Sequence, residues 1–286
     1  LPALFGSADG SSLASQRLYR RGTVAILAAA VAAAVLGALG GAVEAAWCAV
    51  AAALAFLASL VVQVELARRR PEEGWYGGRA VAESVKSLAW QYAVAGGPYG
   101  KENEDAEKEL VADLRCILAD AEVSLAQGEM TGSQVTDGMR GLREQSLDAR
   151  RDAYLRGRIR DQRTWYGSKA TFNRKRRVLW LYVIVVAQVA GGAGAVLAAA
   201  GVLGFDALGV AAAVVAAGIA WVQYAGYGTL EAAYSVAAHE LGFAEDEIRG
   251  VASEGEWAGA VSDAEQAISR EHRLWRASRG VRAHPS

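Results

Sequence analysis

Residues 154–200 read YLRGRIRDQRTWYGSKATFNRKRRVLWLYVIVVAQVAGGAGAVLAAA, and this stretch decides the fold. Its first part is charged and aromatic and closes on Arg174, Lys175, Arg176 and Arg177, after which no charged residue occurs from Val178 to Phe205. Crossing the hydrocarbon of a bilayer takes about 20 apolar residues at ~1.5 Å of rise each, so the second part is long enough to be a membrane span. A basic collar at the foot of a span marks its cytoplasmic side. The stretch therefore predicts a cytoplasmic helix that is continuous with a span, a rigid lever.

Three more apolar runs lie outward of it. Arg17, Arg20 and Arg21 precede Gly22–Leu39, Gly40 and Gly41 mark a turn, and Ala45–Val64 follows, stopping at Glu65 just before Arg68, Arg69 and Arg70. Basic residues followed by one apolar run outline a signal peptide. A second run across a two-glycine turn, with arginines at both outer ends, instead predicts a hairpin. On the carboxyl side, a turn around Gly201, Gly204 and Asp206 leads to a fourth run, Ala207–Gly226. Both turns lack Lys and Arg while three of the outer ends carry them, which places both termini and the central region in the cytoplasm. The fourth run is the exception, since no Lys or Arg follows it until Arg249. Trp221, Tyr224 and Tyr227 are expected to anchor that end, with Tyr19, Trp180 and Tyr182 near the same interface and Trp47 near the outer one.

The expected fold class is thus an all-α integral membrane protein: two transmembrane helical hairpins with spans at about 22–39, 45–64, 178–200 and 207–226, and cytoplasmic amphipathic helices between and after them. Leu1–Ser15, rich in Gly, Ser and Ala, is expected to be flexible. A break at Pro71–Gly74 should precede a helix from Trp75 to Gly96, ended by the turn GGPYG at 96–100. Leu110, Leu114, Ile117, Leu118, Ala121 and Leu125 fall on one stripe of a helix over Asn103–Gln127. The glycine-bearing 128–142 reads as a linker between a first unit, 1–127, and a second, 143–286. In the second unit helices are expected over Gly228–Ile248 and Glu254–Arg276, with the final VRAHPS frayed. Tyr76-Gly77 and Ser84-Val85 recur at one constant offset as Tyr227-Gly228 and Ser235-Val236, so the chain reads as a duplicated two-span unit.

Composition excludes several classes of function. The 53% hydrophobic content is concentrated in the four runs, and a net charge of -1 gives no field that would draw nucleic acid. Cys48 and Cys116 are too few and too scattered for a disulfide framework or a metal site, and are expected to be buried thiols. His239, His272 and His284 share no metal-ligand spacing. With no phosphate-cradling glycine loop and no Ser/His/Asp set, no enzyme activity, cofactor or metal is expected. Within the spans, Gln188 near mid-depth and Gln63 near the inner end are the polar candidates, because an unpaired amide in hydrocarbon must face protein or water. Either interhelical packing or a pore fits them. Ala190, Gly191, Gly192 and Gly194, like Gly37 and Gly41, have the small side chains that let helices approach closely.

Two spaced sets of residues carry a resemblance. In the second half they are Tyr154, Arg158, Gln162, Trp165, Tyr166, Lys169 and Asn173, leading into the hairpin; in the first half they are Glu83, Ser84, Lys86, Leu88, Ala89, Trp90, Tyr92, Gly96, Gly97, Pro98 and Tyr99, following it. In these the chain resembles two tandem copies of the SLATT superfamily, two-transmembrane domains associated with bacterial nucleotide-signalling and other conflict systems. The resemblance implies a membrane effector of the bacterial inner membrane that forms a pore or channel in an antiphage or other conflict response. It also implies a homo-oligomer, since four spans are too few to enclose a wide path, and a cytoplasmic trigger, either a nucleotide second messenger or a protein. A non-conducting membrane scaffold that recruits a cytoplasmic partner is the alternative.

Overall fold

The computed structural model describes residues 1–121 and 132–278. Among them every regular element is helical: α1 (Ala3–Val43), α2 (Ala46–Arg69), α3 (Pro71–Ala93), α4 (Ala106–Asp120), α5 (Asp137–Arg143), α6 (Leu147–Tyr154), α7 (Asp161–Ala199), α8 (Ala207–Ala225), α9 (Tyr227–Gly250) and α10 (Glu254–Ser278). A short 3-10 turn, Gly97–Tyr99, lies between α3 and α4, and a π-helical segment, Leu155–Arg160, joins α6 to α7. Four stretches are long and apolar enough to cross a membrane: Ala3–Val43, Ala46–Arg69, Leu147–Ala199 and Ala207–Gly250. The protein is an all-α, multi-pass membrane protein.

Two compact units share the chain. One comprises Leu1–Gln16, Glu72–Ala170 and Ala232–Ser286; the other comprises Arg17–Pro71 and Thr171–Glu231. The second holds the apolar hairpins. Their outer surface is what a water-soluble protein avoids, with Leu54, Phe56, Leu57, Val61, Leu181, Val186 and Val189 all exposed. Small residues bring the helices of each hairpin together. A Cβ at Gly191 would lie 2.5 Å from that of Ala211, one at Gly194 2.5 Å from that of Ala207, and one at Gly40 2.9 Å from that of Cys48. Gly37, Gly41 and Gly192 meet nothing within 4 Å.

The first unit has two cores, each built largely from the soluble helices of one copy of the repeat. Leu4 and Ala8 of α1, Val81, Val85, Ala89 and Tyr92 of α3, and Leu110 and Leu114 of α4 form one. Leu155 and Ile159 of the π segment, Tyr166 of α7, Ala237, Leu241, Ala244 and Ile248 of α9, and Trp257, Val261 and Ile268 of α10 form the other. The offset between Tyr76 and Tyr227, 151 residues, carries buried positions of one core onto buried positions of the other: Leu4 to Leu155, Ala8 to Ile159, Leu110 to Val261. Duplication is therefore visible in burial as well as in sequence order.

Several local expectations need correction. Leu1–Ser15, expected to be flexible, is instead helical and packed: α1 begins at Ala3, and Leu4, Ala8, Ser11 and Ser12 are buried. Its small side chains permit close packing, since a Cβ at Gly78 would come within 3.1 Å of the Ala8 carbonyl oxygen, and Ser12 Oγ donates to the Trp75 carbonyl at 2.9 Å. The first hairpin turns at Glu44, in the left-handed region at φ 50°, rather than at Gly40-Gly41, which stay helical because Gly40 is needed against Cys48. α2 continues past Glu65 to Arg69, where Glu65 is paired with Arg68 and Arg69. The break before α3 is at Arg70, φ 43°, and Pro71 opens the helix, where its missing N–H costs nothing. The helix over Asn103–Gln127 is observed as Ala106–Asp120, and Leu125 lies outside the described residues. So do residues 128–131 of the linker and the final VRAHPS. The rest of the linker is not structureless, since α5 forms within it, capped by the Thr136 side chain accepting from the Met139 N–H. Cys48 is buried, but Cys116 is exposed on the outer face of α4.

Candidate functional site

The π segment decides the local geometry. One extra residue per turn rotates the positions that follow, and such segments are frequent at functional sites. Here it places Leu155, Arg158 and Ile159 in the interior while Arg156 is exposed. An arginine is thereby driven into an apolar core.

Arg158 meets Glu265 of α10. Nε donates to Oε1 at 2.8 Å and Nη2 to Oε2 at 2.6 Å, a bidentate pair whose side chains are only 1% and 2% exposed. Tyr154 Oη donates to the same carboxylate at 2.9 Å. Burial alone would lower the Arg158 pKa, but the Glu265 charge and its hydrogen bonds outweigh it and hold the guanidinium charged. Burial, reinforced by the Glu265 charge, pushes the Tyr154 phenol well up, so it stays a donor. Arg158 Nη1 is also buried and has no hydrogen-bond partner among the described residues. Two buried charges gain little net stability from each other, because desolvation consumes most of their attraction, yet losing either partner strands the other.

Aromatic side chains enclose the pair. Tyr154 stands edge-on between Trp90 of α3 and Trp257 of α10, each with ring centroids 6.0 Å away. Gly157 lets the backbone approach Trp90: a Cβ there would lie 2.7 Å from the Cη2 of the indole. One turn on, Gln162 is buried and its Oε1 accepts from Lys86 Nζ of α3 at 3.4 Å. Burial, and after it the neighbouring Arg158 charge, pulls the Lys86 pKa down. Glu83 pairs with Arg79 at 3.1 Å. Arg79 and Lys169 lie over the Trp165 ring, whose other neighbours are Tyr166 and Tyr234.

The two signature sets therefore converge. Glu83, Lys86 and Trp90 from the first half meet Tyr154, Arg158, Gln162, Trp165 and Tyr166 from the second, with Lys169 at the exposed edge. Tyr92, Pro98 and Tyr99 form a separate group at the GGPYG turn. Tyr92 Oη donates to Glu107 at 3.1 Å, Tyr99 Oη to Asp113 at 2.5 Å, and the Pro98 carbonyl accepts from Asn103 at 3.1 Å. Asn173, buried, and Gln63 and Gln188, both exposed, belong to the hairpin unit. Arg158 reaches across to Glu265 of α10, because the π turn aims its side chain inward.

Sequence reasoning missed four further residues. Glu265 is one. Arg143 is buried and donates to the carbonyls of Tyr92, Tyr99, Gly100 and Asn103, closing the GGPYG turn. Arg150 donates to the Val94 carbonyl at 2.8 Å, which also accepts from Trp257 Nε1 at 2.7 Å, and pairs with Glu254. Glu245 of α9 collects Arg160 at 2.7 Å, Arg163 at 3.0 Å and Arg249 at 2.6 Å. The Arg160 hydrogen bond, followed by that of Arg163, outweighs burial and holds the Glu245 carboxyl below its usual range. Among the described residues no cluster of metal-ligating side chains occurs.

Comparison with known families gives two matches. The model described as SMODS and SLOG-associating 2TM effector domain 3 matches residues 2–151, and that described as SMODS and SLOG-associating 2TM effector domain 1 matches residues 154–275. Neither a curated protein nor a solved structure matches the chain.

Proposed function

Since the chain belongs to the SMODS and SLOG-associating two-transmembrane effector family, of which it carries two domains in tandem, we propose that it is a membrane effector that assembles as a homo-oligomer, opens a path through the bilayer and is gated through its cytoplasmic helices. Domains of this family are membrane effector modules of conflict systems. The pore, the oligomer and the gate are our reading, as are the orientation with both termini inside, placement in the bacterial inner membrane, and a nucleotide or protein trigger.

One observation supports it: Gln188, midway along the apolar part of α7, is exposed among the described residues. A bare amide facing hydrocarbon costs several kcal/mol on an alkane scale, so in the assembled state it faces water or a second copy. Either alternative requires more than one chain, because four spans cannot surround an aqueous path. The helix that bears Gln188 starts at Asp161, directly after the π segment that carries Arg158, and continues unbroken to Ala199 through the span. A rearrangement there would be passed along α7 by its own backbone hydrogen bonds.

The test is reconstitution of the purified chain into dye-loaded liposomes, with chemical cross-linking to count subunits. Dye release that tracks with cross-linked oligomers supports the proposal. Intact vesicles across lipids and triggers tried, from a chain that remains monomeric, would remove it and leave the scaffold alternative.

A further inference from the structure

From the hairpin unit we infer a binding site for an anionic phospholipid headgroup at the basic feet of α1 and α7. These two feet hold cations that the protein itself leaves unmatched. Arg17, Arg20 and Arg21 of α1 and Arg174 and Lys175 of α7 are exposed and make no ion pair among the described residues. The foot of α2 differs, because Glu65 takes both Arg68, at 3.4 Å, and Arg69, at 2.5 Å. On α7 the neighbouring Arg177 is occupied by Glu231 at 2.9 Å, and Arg176 lies over the Phe172 ring. Among the described residues of the hairpin unit, these cations without an ion pair lie on α1 and in the α7 collar, where Arg176 has only its aromatic contact.

An aromatic belt joins these two feet. Tyr19 of α1 packs edge-on against Tyr224 of α8 with centroids 5.1 Å apart; Tyr224 lies 5.3 Å from Trp221, and Trp221 lies 6.4 Å from Trp180 of α7. Trp221 Nε1 donates to Tyr227 Oη at 3.2 Å. The inner end of α8, which has no basic residue of its own, is therefore an amphipathic aromatic floor between two cationic walls. Half-wet aromatic rings sit at the headgroup level, and arginine forks suit phosphate oxygens. Basic pockets between spans at that level are where anionic headgroups bind. Charge complementarity selects such a lipid over a zwitterionic one, and the greasy outer surface of the same helices selects a lipid over a soluble phosphate. The inference needs membrane insertion only and stands or falls apart from pore formation.

The experiment uses the full chain in detergent. Thermal unfolding is followed with added phosphatidylglycerol, phosphatidylcholine or glycerol 3-phosphate, and the lipid that survives delipidation is quantified per chain. The wild-type chain is expected to retain phosphatidylglycerol over phosphatidylcholine and to gain unfolding temperature from it alone. Replacement of Arg17, Arg20 and Arg21 by Gln, or of Arg174 and Lys175 by Gln, should cut retention by about fivefold per cation, the ratio equivalent to ~1 kcal/mol for each basic residue near an anionic leaflet. Arg→Lys at 17, 20 and 21, which keeps the charge, should retain more than the Gln chain and less than wild type. Arg68→Gln with Arg69→Gln serves as the control and should change little. Equal retention of the two lipids, an equal loss in the control, or the same gain from glycerol 3-phosphate would overturn the site.

Discussion

Glu265 occupies in the second core the place that Leu114 occupies in the first: Leu114 lies on α4 and Glu265 on α10, each the second helix after its hairpin, 151 residues apart, and both are buried. The same offset carries Arg158 onto Ser7. The first copy thus closes its core with a leucine where the second uses an ion pair. A fold that manages without the pair in one copy does not require it for stability in the other. Single replacements, Arg158→Leu or Glu265→Leu, should destabilise the soluble unit by about 3–5 kcal/mol because each strands a buried charge. Arg158→Met with Glu265→Leu and Tyr154→Phe should recover most of that loss. Thermal unfolding of the three chains in detergent checks it, and recovery of stability without recovery of triggered dye release would assign the pair to gating.

Close approach at Gly157 makes a second prediction. Alanine in place of glycine normally favours a helix by roughly 0.5–1 kcal/mol. Here the added Cβ would stand 2.7 Å from a Trp90 ring that is itself packed on Tyr154, and overpacking of this kind costs about 1–3 kcal/mol, so the loss should win. Gly157→Ala should lower the unfolding midpoint, and Trp90→Phe added to it should restore part of the difference. Additive losses in the double variant would show that the contact is not the cause.

How much of this was legible follows from what each environment demands. Lipid tolerates no charge, so the four spans and their basic feet stand out in the residue order alone. The signature residues were likewise visible, but the partner of Arg158 was not, being 107 residues away on a helix with an ordinary apolar stripe. A signal did exist: the repeat offset puts Glu265 on the stripe position of Leu114, and a carboxylate in a core stripe demands a cation. The π turn left no local mark, since LRGRIR carries no proline and a lone glycine is tolerated inside a helix. The amino-terminal segment was misjudged because alanine and serine contribute little apolar area, and their use here is close packing on Gly78, which composition does not register.

Acid should loosen the soluble unit through Glu245. Its carboxyl titrates below its usual range in the folded chain, so the unfolded state binds more protons through that window. The stabilisation it supplies is complete above the unfolded pKa of about 4.3 and is lost as pH falls through the lower folded value. Unfolding midpoints measured from neutral to acid pH should fall more steeply for wild type than for Glu245→Gln. Parallel curves would remove Glu245 as the acid-sensitive group. Lys86 acts at the other end: its lowered pKa means that raising pH through the folded value toward about 10.4 relieves a buried charge, a gain that Lys86→Met should abolish.

Sidedness can be read with a native probe. Cys116 is exposed on α4 and Cys48 is buried in the first hairpin, so a membrane-impermeant maleimide reports chiefly on Cys116. Intact cells should protect it and lysed cells expose it if the soluble helices are cytoplasmic. In a Cys116→Ser chain, cysteines placed at Gly41 or Gly204, near the two hairpin turns, should label from outside. Labelling of Cys116 in intact cells would invert the orientation.

Gln188→Leu separates conduction from recruitment. An amide that lines a wet path affects which solutes pass but contributes modestly to holding helices together, whereas an amide that bonds a neighbouring copy contributes about 0.6 kcal/mol on average and up to ~2 kcal/mol. Leucine suits lipid, so the single chain should fold and insert as well as wild type in either case. If the path runs past Gln188, the variant should form oligomers of unchanged size with altered conductance in planar bilayers. If Gln188 joins copies, the oligomer should dissociate at lower dilution and conductance should fall only in proportion to assembly. A chain with unchanged assembly and unchanged conductance would show that this exposed amide is tolerated by lipid and that the path, if there is one, lies elsewhere.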